Sequence, residues 1–425
     1  MREREEKKQE EQIMERQEKK KGERRRNQQE NRRMNPEKRK SIRYAAVGLI
    51  LLTAAALLQL CARYAQNFAD WYAHRIYPVL VKGIGGFSGF LPFSVVEIGL
   101  YALAAGSLWY LVKHISKPGR IACRGIFLAG ILQFSYMTCC GINYYAGAFS
   151  EYAGLNPGKY TREELVELCE YLTEKVNETA PELPKEGTEK NQAYRYQENR
   201  SQWRQESVAA MQAAGEQYPV LGGYYPRPKE VAVSWILSVQ QLCGVYSPFT
   251  IEANYNGDMP DYNIPHTMCH ELSHLKGFMR EDEANFIGYL ACIASENPAF
   301  QYGGYLTGWV YAGNALAEAD METYVQLYGK LCESARMDLR ENSVFWERYE
   351  GKVAEAANQW NDTYLKMNNQ TDGVKSYGRM VDLMLAYRKA EKEDVQPVIP
   401  AVSQDKNSRY DEKTEESCSE GSSVF

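Results

Sequence analysis

The residues in this chain with the clearest chemical potential are two histidines and a glutamate in the run His270-Glu271-Leu272-Ser273-His274. On a helix, residues four positions apart lie on the same face, so His270 and His274 can bind one metal ion together. Glu271 is placed to hold and deprotonate a metal-bound water. The chain contains five histidines, so by composition a chance match is on the order of a one-in-two-hundred event. The alternative, a surface helix with scattered His and Glu, is weakened by the residues immediately downstream of the motif.

A third ligand is predicted on the next helix. Catalytic zinc sites commonly use three protein ligands and leave a fourth position for water. Gly277 can end the motif helix in a left-handed conformation, and a second helix can begin near Arg280. One face of that second helix carries residues at spacings of three and four, namely Glu281, Ala284, Asn285 and Gly288. The small residues on this face would let the two helices approach closely enough for Glu281 to reach the metal.

This arrangement resembles the gluzincin metallopeptidases, in which HExxH is followed by a helix bearing Glu-x-x-(Ala/Ser)-(Asp/Asn). The resemblance implies Zn²⁺ bound by the two motif histidines and Glu281, with Glu271 as the general base. It also implies that Asn285 orients a ligand histidine. Glu283 remains a competing third ligand, because the run Glu283-Ala284-Asn285 can also be interpreted as the ligand motif. Only six residues separate His274 from Glu281, which is short for this group.

A longer part of the chain, roughly residues 40–390, is similar to a group of uncharacterised bacterial membrane proteins. These proteins carry a zinc-peptidase-like domain behind three spans and are classed as a domain of unknown function. The residues that carry the similarity lie in four runs, which are Tyr246–Asn254, Cys269–His274, Glu281–Phe286 and Asp372–Arg379. The resemblance implies the architecture and the metal site, and it implies no substrate.

The composition changes sharply along the chain. Residues 1–40 are almost entirely charged or polar and are predicted to be a disordered cytoplasmic tail, and residues 391–425 a second disordered tail. Residues 41–149 form the predicted membrane region. Three apolar stretches in it are long enough to cross a bilayer, at about residues 44–61, 91–112 and 125–149. The second contains Glu97, and a carboxylate inside a membrane is expected to face another span.

Lys and Arg residues determine the expected orientation. Basic residues precede the first span, up to Arg43, and residues 113–124 between the second and third spans are also basic. Both segments are therefore expected in the cytoplasm. The loop at 62–90 has only three Lys or Arg residues, which are Arg63, Arg75 and Lys82. Three spans from a cytoplasmic N-terminus then place residues 150–390 outside the cytoplasm, and the net charge of −5 gives no indication of nucleic-acid binding.

The soluble part is predicted to be mainly helical with a small sheet. Thr161 and Glu164 form a capping-box pattern that opens a helix, and further helices are predicted near residues 202–214 and 234–243. Residues 249–255 alternate between polar and apolar side chains like a strand. We expect this strand to be the sheet edge to which an extended peptide substrate would pair, although a structural hairpin strand explains the pattern equally well.

Two further local predictions concern the start of the motif helix and a late turn. Asn263 is expected to cap the motif helix, with Pro265 in its first turn, where proline costs no hydrogen bond. The polar turn at 372–379 contains Tyr377, which could donate a hydrogen bond to the oxyanion of a tetrahedral intermediate. The alternative for this turn is a helix N-terminus capped by Ser376.

Together these features predict a mainly α-helical protein, with three N-terminal transmembrane helices followed by an α-rich, zincin-like α+β domain with a small sheet. The expected function is a membrane-anchored zinc metallopeptidase that acts on a peptide. A related interpretation keeps hydrolysis and changes the substrate, for example to an amide in the cell envelope. The alternative class is a receptor or envelope assembly factor that binds metal without turnover. An intact Glu271 argues against that class, since a pure binding site needs no base.

Overall fold

The computed structural model describes residues 35–180, 200–368, 370 and 379–393. In chain order, the long and short α-helices of the N-terminal part are α1 (Pro36–Tyr64), α2 (Phe68–Trp71), α3 (Tyr77–Leu80), α4 (Gly86–Gly89), α5 (Val95–His114) and α6 (Pro118–Tyr136). Three helical stretches are long and apolar enough to cross a membrane, namely α1, α5 and the stretch Pro118–Tyr145 that begins with α6. The prediction of three apolar helices is confirmed.

The bounds of these helices differ from the predicted stretches. α1 begins at Pro36, where the side chain of Asn35 accepts a hydrogen bond from the backbone of Glu37. α5 begins at Val95, after Ser94 caps it. A run of apolar residues predicts only the apolar part of a helix. The capping residues determine where the helix begins. Most of the two predicted disordered tails, residues 1–34 and 394–425, lies outside the described residues.

The first and third apolar helices pack against each other through two glycines. A Cβ atom on Gly48 would lie 2.5 Å from the carbonyl oxygen of Ile126, and one on Gly130 would lie 2.5 Å from the carbonyl oxygen of Gly48. Small residues at such a crossing allow two helix backbones to approach closely, which is how helices associate in a membrane. α1 and α6 therefore form a tight pair.

The interspan segment, residues 68–89, is folded against the rest of the protein. It is helical throughout, because two π turns (Tyr72–Ile76 and Val81–Gly85) join α2, α3 and α4. Tyr77 is fully buried, and its hydroxyl hydrogen bonds with the hydroxyl of Tyr246 at 2.9 Å and the carbonyl oxygen of Leu275 at 3.0 Å. The segment predicted as a loop between spans is thus part of the packing around the HExxH motif.

The N-terminus of α5 is joined to the soluble part by two carboxylates. Glu252 accepts hydrogen bonds from the backbone amides of Val95 at 3.1 Å and Val96 at 2.9 Å. Glu97 accepts from the backbone amides of Ala232 at 2.8 Å and Val233 at 3.0 Å. The expectation that Glu97 faces another span is wrong. Glu97 lies in the first turn of α5, where a carboxylate is favoured by the helix dipole and can reach backbone donors outside the apolar stretch.

The soluble part is built from helices around a three-stranded sheet. Its helices are α7 (Phe149–Ala153), α8 (Arg162–Thr179), α9 (Arg200–Gln217), α10 (Trp235–Ser238), α11 (Asn263–Lys276), α12 (Glu281–Ala294), α13 (Pro298–Ala319), α14 (Met321–Lys330), α15 (Glu333–Glu347), α16 (Lys352–Met367) and α17 (Met380–Lys392). The strands are β1 (Lys229–Glu230), β2 (Gly244–Ser247) and β3 (Glu252–Tyr255). The capping box at Thr161 and Glu164 is present at the start of α8, as predicted.

The sheet corrects the prediction of an edge strand at 249–255. The strand order is β1-β3-β2, so β3 is central, and it pairs parallel with β1 and antiparallel with β2. The predicted run includes Phe249 and Thr250, which belong to a turn, and Ile251, which has a positive φ of 48°. The helix predicted at 234–243 is also shorter than expected, because only α10 forms before β2 begins. Of the described strands, β2 and β1 are the edges.

The motif helix α11 lies at the centre of the core. It packs against β2 and β3 on one side and against α12 and α13 on the other, and Leu272 and Leu275 are fully buried. Tyr262, not Asn263, occupies the cap position of α11. The side chain of Asn263 instead donates a hydrogen bond to Asn342 at 2.7 Å. The predicted cap was wrong by one residue, and the Asn263 side chain makes a tertiary contact with α15.

Candidate metal centre

The two helices that carry the site are held together by two glycines. Gly277 ends α11 with a φ of +117°, a left-handed conformation that glycine adopts at low cost. α12 then begins at Glu281, with Arg280 in the cap position. A Cβ atom on Gly288 would lie 3.2 Å from the backbone nitrogen of His270 and 3.3 Å from the carbonyl oxygen of His266. The predicted close approach of the two helices through this small residue is therefore present.

His270, His274 and Glu281 converge on one point. Their ligand atoms all lie within 4.8 Å of one another. The Oε2 atom of Glu281 is 3.4 Å from Nε2 of His270 and 3.5 Å from Nε2 of His274. Ligand atoms around a tetrahedral zinc, at bond lengths of roughly 2.0–2.1 Å, are about 3.4 Å apart. The donor set and its spacing therefore fit Zn²⁺.

The charges of this cluster depend on one another. Burial disfavours the charged form of Glu281, but His274 and His270 beside it hold the pKa of this carboxyl well below its usual range. Burial likewise opposes the imidazolium of His274, yet the carboxylate of Glu281 raises the pKa of His274 to about 9. A buried carboxylate needs a positive partner, and either a protonated imidazole or a metal ion can supply that charge here.

Glu271 faces the same cluster with an unpaired oxygen. Its side chain is buried, and its Oε2 atom has no hydrogen-bond partner among the described residues. Burial raises the pKa of Glu271 to about 7, although the two motif histidines oppose this shift. Gly244 of β2 lies directly beside it, since a Cβ atom there would be 2.5 Å from Oε1 of Glu271. An unpaired buried carboxylate next to a metal-type donor set is suited to accept a proton from a bound molecule.

A backbone carbonyl group orients one of the two motif imidazoles, that of His274. Nδ1 of His274 donates to the carbonyl oxygen of Phe278 at 2.8 Å, which leaves Nε2 to face Glu281. Asn285 was predicted to orient a ligand histidine through its side chain. Its amide nitrogen has no partner in the described part of the chain, and neither has Nδ1 of His270. Its backbone oxygen accepts from Nε2 of His266 at 3.0 Å, and burial lowers the pKa of His266 to about 4, so this neutral histidine supports the helix pair.

Glu283, the competing ligand, points away from the histidines. Its carboxylate accepts hydrogen bonds at 2.9 Å from both the backbone amide of Phe149 and the guanidinium of Arg280. Burial raises the pKa of Glu283 to about 7, against the effect of Arg280. Of the two glutamates weighed from the sequence, the structure brings Glu281 to the histidine pair and places Glu283 in a separate ion pair.

Tyr311, on α13, lies near Glu281 and Asn285 and is not among the residues that the sequence pattern singled out. Its hydroxyl interacts with the side chain of Asn285, and burial, with further contributions from Cys243 and Glu281, raises its pKa well above the usual value. A tyrosine that stays protonated is a hydrogen-bond donor at any physiological pH. Tyr311 lies more than twenty residues beyond the start of α12, so no local sequence pattern connects it to the HExxH motif.

Tyr377, the predicted oxyanion donor, lies outside the described residues. The described residues on either side of its turn both contact the first turn of α12. The side-chain oxygen of Gln370 accepts from the backbone amide of Glu281 at 3.4 Å. Nε of Arg379 is 3.5 Å from Oδ2 of Asp282. Gln370 and Arg379, which flank residues 371–378, therefore both lie next to α12.

Comparison with known proteins gives one match. No curated protein and no solved structure matches the chain. One family model matches residues 72–385, and so covers the interspan segment from its first π turn, α5, α6, the sheet, the HExxH helix and α12. The match begins after α1, within the segment whose Tyr77 packs against the motif helix. The chain belongs to the family described as a protein of unknown function (DUF3810).

Proposed function

We propose that the protein is a zinc-dependent hydrolase, a metallopeptidase that cleaves peptide bonds with a water molecule. The observation that carries this proposal is the convergence of His270, His274 and Glu281 beside the unpaired carboxylate of Glu271. The first three residues offer two imidazole nitrogens and one carboxylate oxygen, which is the donor set of a catalytic zinc site with one open position. When bound, zinc supplies Lewis acidity, which polarises a carbonyl group and lowers the pKa of a water molecule.

In this proposal the protein residues hold the reacting groups and move one proton. Glu271 accepts the proton of the attacking water at its free Oε2 and later returns it to the leaving amine. The carbonyl oxygen of Phe278 keeps His274 in the tautomer that presents Nε2. We also propose that the domain that contains the HExxH motif is zincin-like.

The edge strand β2 supports an extended peptide as the substrate. In the described part of the sheet its outer edge has no neighbouring strand, and its first residue, Gly244, lies against Glu271. An extended peptide that pairs with a sheet edge gains main-chain hydrogen bonds without regard to its side chains. This strand takes the role that we expected of residues 249–255. Pairing there would place a peptide bond next to the base.

The location that we propose is a membrane, with the metal domain outside the cytoplasm. The packing of the interspan segment supports it, because Tyr77 contacts both Tyr246 and Leu275 in the soluble part. These regions must then lie on one side of the bilayer, which requires α5 and α6 to cross it and return. The basic residues before α1 and between α5 and α6 favour the cytoplasm for the other side.

One experiment tests the chemistry. Full-length protein in detergent should contain about one zinc per chain by elemental analysis and should cleave members of a quenched fluorescent peptide library. Glu271→Gln should keep the zinc and lose activity by roughly 10²–10⁴-fold, because an amide cannot accept the proton. Glu355→Gln, an exposed glutamate on α16, is the matched control and should change neither quantity.

Two outcomes would contradict the proposal. A protein that takes up no zinc would remove the metal site. A zinc-loaded protein that cleaves no peptide and no envelope amide would favour the receptor or assembly factor instead. Profiles of surface peptides from cells with and without the protein would then identify the substrate of an active enzyme.

The topology has its own test. A membrane-impermeant amine reagent applied to intact cells should label Lys352, which is exposed on α16, and should spare Lys113 and Lys117 between α5 and α6. After the cells are opened, all three lysines should react. The reverse pattern in intact cells would place the metal domain in the cytoplasm and would require a cytoplasmic substrate.

A further inference from the structure

A cavity of about 300 Å³ lies beside the metal centre but does not contain it. Its walls come from four parts of the chain, namely the interspan segment, the stretch at the end of the third apolar helix, the turn after α9, and the connection between α11 and α12. His270, His274 and Glu281 do not line it. The cavity is therefore a separate site, lined by the turn that links α11 and α12 and not by the candidate metal ligands.

The titratable side chains that line the cavity, its tyrosines apart, are mainly those of basic residues. They are His74, Lys82, Lys276, Arg280 and Glu283. Glu283 is paired with Arg280. Among the described residues, no carboxylate lies within ion-pair distance of Lys82 or Lys276. Asp70, behind the wall, accepts hydrogen bonds from the backbone of Gly147 and the hydroxyl of Tyr152. The cavity thus presents two lysines whose charge no described carboxylate neutralises.

Lys276 is held in the cavity by neutral groups. Its ammonium donates to the carbonyl oxygen of Gly222 and lies 5.6 Å from the centre of the Tyr225 ring. A Cβ atom on Gly223 would be 3.2 Å from this ammonium, and Gly223 has a φ of +120°. The glycine turn therefore leaves room for the lysine. A cation that is half-buried in this way attracts an anion strongly, because the surroundings screen its charge less than water does.

Asn143 gives an independent indication of a ligand. It lines the cavity and is only 4% exposed, yet neither its amide nitrogen nor its amide oxygen has a hydrogen-bond partner among the described residues. Buried side-chain amides are normally hydrogen bonded, because an unpaired buried polar group destabilises the fold. A molecule in the cavity with both an anionic oxygen and a hydroxyl would pair with both amide atoms.

We propose that this cavity binds a phosphate ester, with Lys82 and Lys276 facing its negative charge and Asn143 hydrogen bonding to it. Lysine binds phosphate as a mobile point charge with three donors. The volume is at the lower end of the range for ligand pockets, which suits a headgroup and excludes a large cofactor. This site is independent of the proposed hydrolase activity.

The source of the phosphate ester is expected to be a lipid. The lining residues of the interspan segment come soon after α1, and Asn143 lies at the end of the third apolar stretch, Pro118–Tyr145. When these helices are in a bilayer, the cavity opens next to the lipid headgroups. The same segment exposes large apolar side chains, which are Trp71, Ile76, Val79, Ile84 and Phe87. Lysines next to an exposed apolar surface suit a phospholipid, because the ammonium groups can bind the phosphate while the apolar side chains contact the acyl chains.

The test compares lipid and soluble anions on the full-length protein in detergent. Native mass spectrometry would measure retention of phosphatidylglycerol against phosphatidylcholine, and calorimetric titration would measure binding of glycerol 3-phosphate and inorganic phosphate. Lys82→Gln and Lys276→Gln should each weaken binding about tenfold, since each removes one charge-assisted hydrogen bond. Lys352→Gln, a surface lysine on α16, should leave it unchanged. Lys82 is exposed, so its variant is expected to fold even where that of Lys276 does not.

The outcomes separate the two sources. Retention of phosphatidylglycerol that falls in both cavity variants supports the lipid headgroup. Saturable binding of inorganic phosphate or glycerol 3-phosphate without lipid retention, with the same loss in both variants, supports a soluble phosphate ester. Absence of saturable binding by every anion, or affinities that Lys82→Gln and Lys276→Gln leave unchanged, would overturn the site. Zinc content measured in parallel reports on the metal centre separately.

Discussion

Two buried clusters of charged side chains lie on either side of the sheet, and they differ in how completely their members are paired. At the junction with α5, the ammonium of Lys229 donates to Glu252 and to the carbonyl oxygen of Ser88. Glu252 also accepts from two backbone amides of α5. At the candidate metal centre, two imidazoles and a carboxylate converge on one point, and the oxygen Oε2 of Glu271 remains unpaired among the described residues.

The difference separates a structural role from a chemical one. A buried ion pair whose partners are all satisfied holds two elements in register and asks for no ligand. A buried cluster with a free carboxylate oxygen and convergent metal-type ligand atoms needs a positive charge nearby. Either a protonated side chain or a metal ion can supply it. Both clusters contain buried carboxylates, and pairing is a property that distinguishes them.

The largest effect is expected at two glutamates in the first turn of α12. Glu281 belongs to the cluster with the histidines, whereas Glu283 is paired with Arg280. Glu281→Gln should reduce bound zinc from about one per chain to a small fraction, because a neutral amide replaces the only charged ligand. Glu283→Gln should keep the zinc and lower the free energy of unfolding by about 1–3 kcal/mol, since Arg280 loses its partner. Elemental analysis and denaturant unfolding of the same samples measure both quantities. The reversed pattern would make Glu283 the third ligand.

The second expected effect is at the junction with α5. Glu252→Gln leaves Lys229 buried without its carboxylate, and breaking a buried pair in this way costs about 3–5 kcal/mol. Thermal unfolding in detergent should show the loss, while zinc content of the folded protein stays near one per chain. Glu341→Gln on α15 serves as the control for removal of a glutamate charge. Loss of zinc in Glu252→Gln at unchanged stability would show that this cluster is part of the metal site.

The sequence was most informative where the chemistry is local. The HExxH spacing, the turn at Gly277 and the next helix predicted that His270, His274 and Glu281 share a site, because all three positions depend on the geometry of two consecutive helices. Hydropathy likewise predicted three apolar helices. Each of these predictions needs only residues that are close along the chain.

The predictions that failed depended on contacts between distant parts of the chain. Glu97 was expected to face another span, since hydropathy does not show that α5 begins two residues before it. The interspan segment was expected to be a loop. It is helical and packed, and its buried face contacts residues more than 150 positions away, which no local pattern reveals. Gly244 and Tyr311 reach the site from β2 and α13, and no spacing pattern connects them to the HExxH motif.

The smallest expected effect is at Gly244, the residue of β2 that lies next to Glu271. A Cβ atom at this position would lie 2.5 Å from Oε1 of Glu271 and 2.9 Å from the backbone oxygen of Asn254. Gly244→Ala should therefore displace Glu271 or shift β2, with a loss of roughly 1–3 kcal/mol in stability. Gly329→Ala on α14 has nothing within 4 Å of the added carbon, so this control should keep the stability or raise it by up to about 1 kcal/mol.

Activity and zinc content decide what the displacement at Gly244 means. Because the atoms nearest to a Cβ at Gly244 belong to Glu271 and Asn254, and not to His270, His274 or Glu281, zinc should remain bound in Gly244→Ala. Hydrolysis should fall by about tenfold or more, since a shift of the base by about 1 Å misplaces the proton acceptor. Full activity together with an unchanged melting temperature would show that β2 can move away from the motif helix at no cost. In that case the edge of β2 would not be the surface that positions a peptide next to Glu271.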